Sequence, residues 1–294
     1  MFALAGAAVG ACTSLSEASS GAGTSTTRTE AVQGSNPPPA AADGLAPVSP
    51  VLSAFFGLDA LPPIAAAICP QAPGQDGVVV NVSDELEAAA VEPSQWVVVT
   101  AAGRRAVPVC ASLKPAIDPG ERRTVLLIGD LGSRADPPRR VEIPDGLPTT
   151  DPARHNRYRA IAFEPVAPLA DGPSIVIAEH VDRPALDGPV TGPDGCPSTT
   201  QQVLRVAWAG GVSRPDGALT DNTDAARYHV AVRTADGSIH EVSPDALADV
   251  NDNDNYHQLC LATTDPAAAV RADPGAFVDP NGDPNPATNL AIAP

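Results

Sequence analysis

The chain has 294 residues, with 33 prolines, 24 glycines, 3% aromatic residues and a formal net charge of −17. A surface this acidic repels the phosphates of nucleic acids and of anionic lipids, so we expect no nucleic-acid partner. The many prolines and glycines exclude an architecture of long helices, and no run of about 18 apolar residues is present to form a membrane-spanning helix.

The first segment, residues 1–12, has the character of a lipoprotein-type signal. Residues 2–11 are mostly small and apolar, and the sequence VGAC at residues 9–12 resembles a bacterial lipobox. In that motif the cysteine after a small residue is lipidated, so the resemblance implies Cys12 as the lipidation site. The segment is short and lacks a positively charged start, which a start codon assigned too far downstream would explain. The alternative is an Ala-rich terminus with a free thiol.

The next segment, residues 13–48, is rich in Ser, Thr, Gly and Ala and becomes proline-rich toward its end. Such a composition buries too little apolar surface to offset the entropy lost on ordering, so we predict a disordered tether. The remaining sequence predicts two domains, at residues 49–168 and 172–294, joined by a short hinge that bears Pro and Gly.

Both domains are predicted to be all-β, because their short segments rich in β-branched residues are bounded by turn signals. The strands predicted in the first domain are 51–56, 78–82, 95–100, 106–110, 124–129, 140–143 and 159–163. Those in the second domain are 174–179, 202–208, 228–234, 239–242, 256–262, 269–271 and 289–292. This number and spacing are typical of a β-sandwich. Short helices are predicted only at residues 84–91 and 244–250.

A weak internal duplication relates the two domains. Each opens with a Cys-Pro pair, at Cys69 and Cys196, followed by a polar run and a strand-like segment. Further on, WVVVTAAG at residues 96–103 parallels VAVRTADG at residues 230–237. A repeat of this length indicates a duplicated domain rather than a solenoid unit.

Two stretches carry a resemblance to bacterial Ig-like (Big-type) domains. VNVSDEL at residues 80–86, followed by VEPSQWVV at 91–98, is similar to their opening, where a strand ends in a Ser-acid-x-apolar turn. VDPNGD at residues 278–283 resembles the turn before their last strand, with Asp283 where Asn is usual. The resemblance implies two tandem Ig-like β-sandwiches. It implies no single function, because the family includes adhesins, spacers and binding modules.

The cysteine count agrees with an exported chain. If Cys12 is lipidated, the other four of the five cysteines divide into two per domain. An even count per domain favours the disulfides Cys69–Cys110 and Cys196–Cys260. The alternative, a structural zinc site, lacks a Cys-x-x-Cys pair, and the five histidines are scattered.

Oxygen-bearing side chains form two runs in the second domain. The run DVNDNDN at residues 249–255 begins like the calcium motif of cadherin linkers, whose carboxylates, amides and carbonyls wrap a hard cation. The candidate calcium ligands are Asp249, Asn251, Asp252 and Asn253, with Asp279, Asn281 and Asp283 as a second, weaker set. The alternative for both runs is a polar Asx-rich turn. Neither run has the closing Glu of an EF-hand, because Cys260 and Leu290 stand at the twelfth positions.

No nucleophile motif or zinc-protease motif accompanies these residues, so we expect no catalytic site. We predict an exported, lipid-anchored protein on the periplasmic or surface face of the cell envelope. It would act as a non-catalytic structural or binding module for a protein or glycan, and contact the membrane only through its N-terminal lipid. Two alternatives stay open: a calcium-dependent adhesion or ligand-binding module, and a hydrolase with an unrecognised site. Calcium is the single cofactor considered.

Overall fold

The computed structural model describes residues 49–181, 195–250 and 254–293 of the chain. All of these residues belong to one compact unit, Ala46–Pro294. The predicted lipidation site at Cys12 and the predicted tether at residues 13–48 lie outside the described residues. No helix in the described ranges is long and apolar enough to cross a membrane.

The described chain is all-β, as predicted, and forms two β-sandwiches. The strands of the first sandwich are β1 (Val51–Leu58), β2 (Asp76–Val82), β3 (Val97–Thr100), β4 (Arg105–Ala106), β5 (Cys110–Ser112), β6 (Thr124–Gly129), β7 (Pro138–Asp145), β8 (Arg159–Phe163) and β9 (Ala167–Pro168). Those of the second are β10 (Ile175–Val181), β11 (Gln202–Trp208), β12 (Tyr228–Arg233), β13 (Ile239–Val242), β14 (Ala246–Ala248), β15 (Tyr256–Leu261), β16 (Ala267–Ala272) and β17 (Thr288–Ala291). Short 3-10 helices lie at Pro63–Ala67, Ala88–Ala90, Pro93–Gln95, Pro152–Tyr158, Leu169–Asp171 and Asn222–Arg227.

The two sandwiches have the same strand order. In the first, a sheet β5-β6-β2-β1-β9 faces a sheet β4-β3-β7-β8, and in the second β14-β15-β11-β10 faces β13-β12-β16-β17. Strands β1–β8 therefore correspond one by one to β10–β17. This is the ABED-against-C′CFG arrangement of immunoglobulin-type sandwiches. Each sandwich also ends on a parallel segment beside its first strand, β9 against β1 and Ala293 against β10.

The repeated sequence motif forms the same hairpin turn in both sandwiches. In the first, the Gly103 amide donates to the Thr100 carbonyl at 2.9 Å, and in the second the Gly237 amide donates to the Thr234 carbonyl at 2.9 Å. Both glycines have positive φ angles, +87° and +85°. The duplication seen in the sequence is therefore also a duplication of local structure.

Alternating apolar side chains fill the space between the facing sheets. In β2 the inward residues are Val78, Val80 and Val82, and in β11 they are Leu204, Val206 and Trp208. Because successive strand residues point to opposite faces, the intervening residues of both strands lie on the outer face. That outer face is also buried in β2 and β11, which places it against another part of the molecule.

Several local predictions were wrong. The strand expected at residues 106–110 is divided, because β4 ends at Ala106 and β5 begins at Cys110. Short 3-10 helices also lie where none was predicted, at Pro63–Ala67, Pro152–Tyr158 and Asn222–Arg227.

Residues 244–250 were expected to be helical, but Ala246–Ala248 forms strand β14 and pairs with Cys260, Leu259 and Gln258 of β15. The sequence Ala-Leu-Ala lacks β-branched residues, so its strand conformation comes from this pairing and from burial. The other expected helix, at residues 84–91, contains one turn of 3-10 helix, Ala88–Ala90.

Candidate functional site at the contact between the two sandwiches

The outer faces of the β1-β2-β6 and β10-β11-β15 sheets pack against each other. One apolar cluster joins Ala116 of the first sandwich to Ile177, Ala207 and Tyr256 of the second. Another joins Phe55, Val79 and Leu169, with Ala209 packed on it. Gly210 permits this approach, because a Cβ atom there would overlap the Phe55 ring.

Buried amide side chains connect the two sheets. Asn81 on β2 donates from Nδ2 to the Ala209 carbonyl at 2.7 Å and accepts from Thr124 Oγ1 at 2.8 Å. Asn255 donates from Nδ2 to Thr124 Oγ1 at 2.9 Å and to the Trp208 carbonyl at 2.7 Å. A buried polar group left unpaired costs about 1–3 kcal/mol, so these interlocking bonds fix one relative placement of the sheets.

Charged side chains lie beside these amides. Arg123 of the first sandwich pairs with Glu179 of the second, with Nη1 2.8 Å from Oε2. Arg205 on β11 lies 3.4 Å from the other Glu179 oxygen and 3.8 Å from Glu121 Oε1. Gly120 has a φ of +91°, and a Cβ atom there would overlap the Arg205 guanidinium. The loop before β6 thus needs glycine at this position both for its backbone and for its contact.

Glu121 is the most unusual ionisable group of the contact. Its side chain is 1% exposed. Burial raises its pKa to about 10, aided by a hydrogen bond to Asp249 and by the charge of Asp254, while Arg205 lowers it. At neutral pH we therefore expect Glu121 to be protonated. Asp249 has a φ of +59° and accepts a hydrogen bond from Gln258 Nε2 at 2.8 Å.

Two adjoining cavities open where the linker between the sandwiches passes along the contact. The first, of about 310 Å³, is lined in part by Phe56, Asp59, Asp76, Arg134, Asn281 and Asp283. The second, of about 280 Å³, is lined in part by Phe55, Leu169, Asp171, Ser174, Ala209 and Asp279. Both sandwiches contribute to both cavities, and Leu169 of the linker lies between them.

The predicted calcium ligands occupy different places along this contact. Asn251, Asp252 and Asn253 lie outside the described residues, and Asp249 lies beside Glu121. In the second run, Asp279 forms an Asx turn, and Asn281 donates from Nδ2 to the Gly57 carbonyl at 3.1 Å. In the described ranges no group of three or more His, Cys, Asp or Glu side chains is arranged to hold a metal ion. Calcium binding stays a prediction.

The second cysteine of each sandwich lies on a different strand, since Cys110 is on β5 and Cys260 is on β15, the counterpart of β6. Cys196 and Cys260 form a disulfide with a Cα–Cα distance of 5.5 Å. Cys69 and Cys110, predicted as the second disulfide, are free thiols in the structure. They are neighbours nonetheless: burial raises the pKa of the Cys110 thiol to about 12, and a hydrogen bond with Cys69 contributes. Oxidation of this pair stays a prediction.

Sequence reasoning missed Glu121, Arg205 and Asp254 as members of one cluster. Each lies in a stretch that, taken alone, has the composition of a solvated loop or strand. The contact that unites them joins residues more than 80 positions apart, such as Arg205 and the Pro119 carbonyl. The one local signal was burial on both faces of β2 and β11, indicated by their nearly continuous apolar sequence.

No protein-family model, no curated protein and no solved structure matches this chain. Functional inference therefore depends on the chemistry of the contact itself. That contact offers a polar interface, a buried carboxyl group with a raised pKa and two cavities whose walls combine apolar side chains with carboxylates.

Proposed function

We propose that the protein is an exported, lipid-anchored, non-catalytic binding module of the cell envelope, in which two Ig-like sandwiches act as one rigid body. The observation that carries the proposal is the buried polar contact between them. Asn81, Asn255 and the pair Arg123–Glu179 fix the two sheets relative to each other. Because this contact fixes the two sheets relative to each other, the two cavities beside it should keep their shape rather than open transiently.

Export is supported by the disulfide Cys196–Cys260, because disulfides persist mainly outside the reducing cytosol. Anchoring is supported by the lipobox-like sequence that ends at Cys12. The acidic surface of the protein favours a ligand whose contacting surface is neutral or positively charged. Protein and glycan ligands both remain within this proposal.

The test of anchoring uses the protein expressed from its own locus with a C-terminal tag. We expect it in the detergent phase after phase partition, and we expect Cys12→Ser to move it to the aqueous phase. Cys69→Ser is the matched control, because it also removes a thiol but should stay in the detergent phase. A Cys12→Ser protein that remains in the detergent phase would exclude lipidation at this residue.

Calorimetry tests whether the two sandwiches are rigidly coupled. Two sandwiches that share a buried polar interface should unfold in one cooperative transition, with the calorimetric enthalpy equal to the van't Hoff enthalpy. Two separate transitions, unchanged by Gly120→Leu at the contact, would contradict the rigid-body proposal.

A calcium-dependent module is the second candidate, favoured by one observation. The charges of Asp249 and Asp254 raise the pKa of Glu121 at the contact, although the described carboxyl groups are not arranged as a metal site. A cation bound nearby would offset this repulsion. Millimolar calcium should then raise the melting temperature of the full chain, and Asp249→Ala with Asp252→Ala should abolish the rise. At about 100 times its dissociation constant the ion would add about 2.7 kcal/mol. No shift in melting temperature would exclude this candidate.

A further inference from the structure

The connection between β1 and β2, residues 59–75, lies over the outer side of β6, and we call it the strap. Its residues Ala65, Cys69 and Ala72 form one apolar cluster with Ile128 of β6. The preceding residue of β6 faces the core between the sheets, so Ile128 lies on the outer side. The strap therefore covers part of the outer face of the first sandwich.

Backbone hydrogen bonds close the strap on itself. The Leu61 amide donates to the Gln75 carbonyl at 2.8 Å, and the Gly74 amide donates to the Leu61 carbonyl at 2.8 Å. In the middle of the strap, the Ala72 amide donates to the Cys69 carbonyl at 2.9 Å. These bonds give the strap a shape of its own but do not join it to β5 or β6. In the described part of the chain, its attachment to these strands depends on the apolar cluster and on one pair of thiols.

Cys69 of the strap and Cys110 at the start of β5 are free thiols in contact with each other. Cys69 is 3% exposed, and its Sγ donates to Gln71 Oε1 at 3.3 Å. Cys110 is half-buried and is hydrogen-bonded with Cys69. Two sulfur atoms this close can form a disulfide after a small movement of their side chains. The bond would tie the strap to β5, which is an edge strand of its sheet.

The two cysteine pairs of the protein differ in how open they are to solvent. Cys196 is 6% exposed and Cys260 is 0% exposed, so their disulfide is shielded from an incoming thiol. The Cys110 thiol, at the edge of its sheet, remains partly open to solvent. Thiol–disulfide exchange requires access to the sulfur that reacts. We therefore expect exchange at the first pair and not at the second.

We infer that Cys69 and Cys110 form a thiol–disulfide exchange site, which takes a small disulfide as its co-substrate and ties the strap to β5 when oxidised. In the first step the Cys110 thiolate attacks one sulfur of the small disulfide, which forms a mixed disulfide and releases one small thiol. In the second step the Cys69 thiolate attacks the Cys110 sulfur and releases the second small thiol. The two protein thiols lose two electrons and two protons, and the small disulfide takes up both as it becomes two thiols. The inference goes beyond the proposed binding role and does not depend on it.

The strap connects this chemistry to the first cavity. Asp59 at its beginning and Asp76 directly after its end both line that cavity. The Ala60 amide donates to Asp76 Oδ1 at 3.2 Å, which joins the two ends of the strap. A bond between Cys69 and Cys110 would therefore restrain the segment that forms one wall of the cavity. The dithiol leaves the same segment attached by apolar contacts and a weak thiol hydrogen bond.

The test uses the full-length Cys12→Ser protein as the parent, with oxidised glutathione as the small disulfide. We expect alkylation and peptide mapping to show the loss of both free thiols and a link between Cys69 and Cys110. Reduced glutathione should then restore these two thiols in the native protein, while Cys196–Cys260 stays intact. Hydrogen–deuterium exchange of the amides of residues 61–75 should slow by about tenfold on oxidation, because the strap then opens less often. The thiol reaction should be faster at pH 9 than at pH 7, because burial raises the pKa of Cys110 and the thiolate is the reacting species.

Single replacements test the order of the two steps. Cys69→Ser removes the second thiol, so Cys110 should retain one glutathione as a stable mixed disulfide. Cys110→Ser is the matched variant, and the buried Cys69 should acquire no glutathione. Thermal melting of each variant checks that the fold is intact. The inference would be overturned by the absence of a link in the parent protein, by a link that reduced glutathione cannot open in the native protein, or by strap exchange that oxidation leaves unchanged. Glutathione on Cys69 rather than on Cys110 would overturn it as well.

Discussion

The two sandwiches share one strand order but fill their cores with different chemistry. The core of the first consists almost entirely of aliphatic side chains around Trp96. The core of the second contains a chain of hydrogen bonds, in which Trp208 Nε1 donates to Tyr228 Oη at 2.8 Å and Tyr228 Oη lies 2.6 Å from His257 Nδ1. The same topology therefore accommodates both a mostly aliphatic core, in which Trp96 Nε1 is buried without a hydrogen-bond partner, and a core with a network of paired polar groups.

Equivalent positions show where the two cores diverge. Val125 on β6 pairs with Val80 on β2, and His257 on β15 pairs with Val206 on β11. A valine in one sandwich is thus a histidine in the other. Because Tyr228 accepts from Trp208, its hydroxyl proton goes to His257 Nδ1, and Nε2 of the neutral ring donates to Thr220 Oγ1 at 3.1 Å.

The largest expected difference comes from removing one buried tyrosine hydroxyl in each sandwich. Tyr228→Phe leaves Trp208 Nε1 and His257 Nδ1 buried without partners, at about 2 kcal/mol each, so we expect a loss of about 4 kcal/mol. Tyr158→Phe in the first sandwich should cost less, about 1–2 kcal/mol, because it removes the acceptor of the half-buried Asp84 amide while Asp84 Oδ2 keeps its 2.9 Å bond to Arg157. Urea unfolding of both variants measures the difference. Equal losses would mean that the hydrogen bonds between Trp208, Tyr228 and His257 add nothing to the stability of the second core.

The pH dependence of stability should also distinguish the second core from the first. Burial lowers the pKa of His257 to about 4, from an ordinary value of 6.5. Between these values the unfolded chain binds a proton that the folded chain does not, so stability falls as the pH drops from 6.5 to 4. The expected loss is about 3 kcal/mol.

The matched variants for this titration lie in the same sandwich. His257→Asn keeps an acceptor for Tyr228 but cannot titrate, and it should flatten the part of the slope between pH 6.5 and 4. His240→Asn, at an exposed position of β13, should leave the slope unchanged. Identical slopes in His257→Asn and the wild type would exclude His257 as the source.

The sandwiches also differ in what they contribute to their contact, since the first adds a loop, with Gly120 against Arg205, to its sheet face. Gly120→Ala should place a methyl group against Arg205, and overpacking of this kind costs about 1–3 kcal/mol. Gly103→Ala is the matched control, because its φ of +87° imposes similar backbone strain with no atom within 4 Å. The difference between the two melting temperatures isolates the contact. No difference would show that Arg205 moves away freely.

The ionisable centre of the contact should show a pH dependence of stability that is opposite in sign to that of His257. The pKa of Glu121 is raised to about 10 in the folded chain, against 4.5 ordinarily. The unfolded chain releases this proton above pH 4.5 while the folded chain retains it, so stability falls as the pH rises through this interval. Glu121→Gln should therefore stabilise the protein at pH 8 and not at pH 4, and the interval from pH 4.5 to pH 8 sets an upper limit of about 5 kcal/mol.

Glu142→Gln on β7 provides a control of opposite sign. Hydrogen bonds from Arg105 and Arg140 lower the pKa of Glu142, so its loss should slightly destabilise the protein at pH 8. Thermal melting at the two pH values compares both variants. Destabilisation by Glu121→Gln at pH 8 would mean that Glu121 is ionised and required as an anion, as a metal site would demand.

The sequence predicted those features that each strand encodes by itself. Strands β2, β6 and β11 consist of β-branched and apolar residues between turn signals, and they were located to within a few residues. Strand β14 was missed, because its pairing partner rather than its own residues makes it a strand. The polar core was missed for a similar reason: Trp208, Tyr228 and His257 come from three strands, and their hydrogen bonds depend on the register between them.

The contact between the sandwiches was the least predictable part. Its members include one loop and three strands of the first sandwich and three strands of the second, and each charged residue alone resembles an ordinary surface group. Only the packing of two outer faces turns Glu121 and Arg205 into buried neighbours. Long-range burial of this kind leaves no periodic pattern in a single sequence.

The parallel segments that close each sandwich have a mechanical consequence. Phe55 and Phe56 lie beside Ala167 and Pro168, and Glu179 lies beside Ala293, with the paired segments running in the same direction. Tension applied between residue 49 and residue 293 would load these bridges in shear, so that they must break together instead of opening one after another. Stretching single molecules from these two points should give high rupture forces, and removal of residues 288–293 should lower the force for the second sandwich alone.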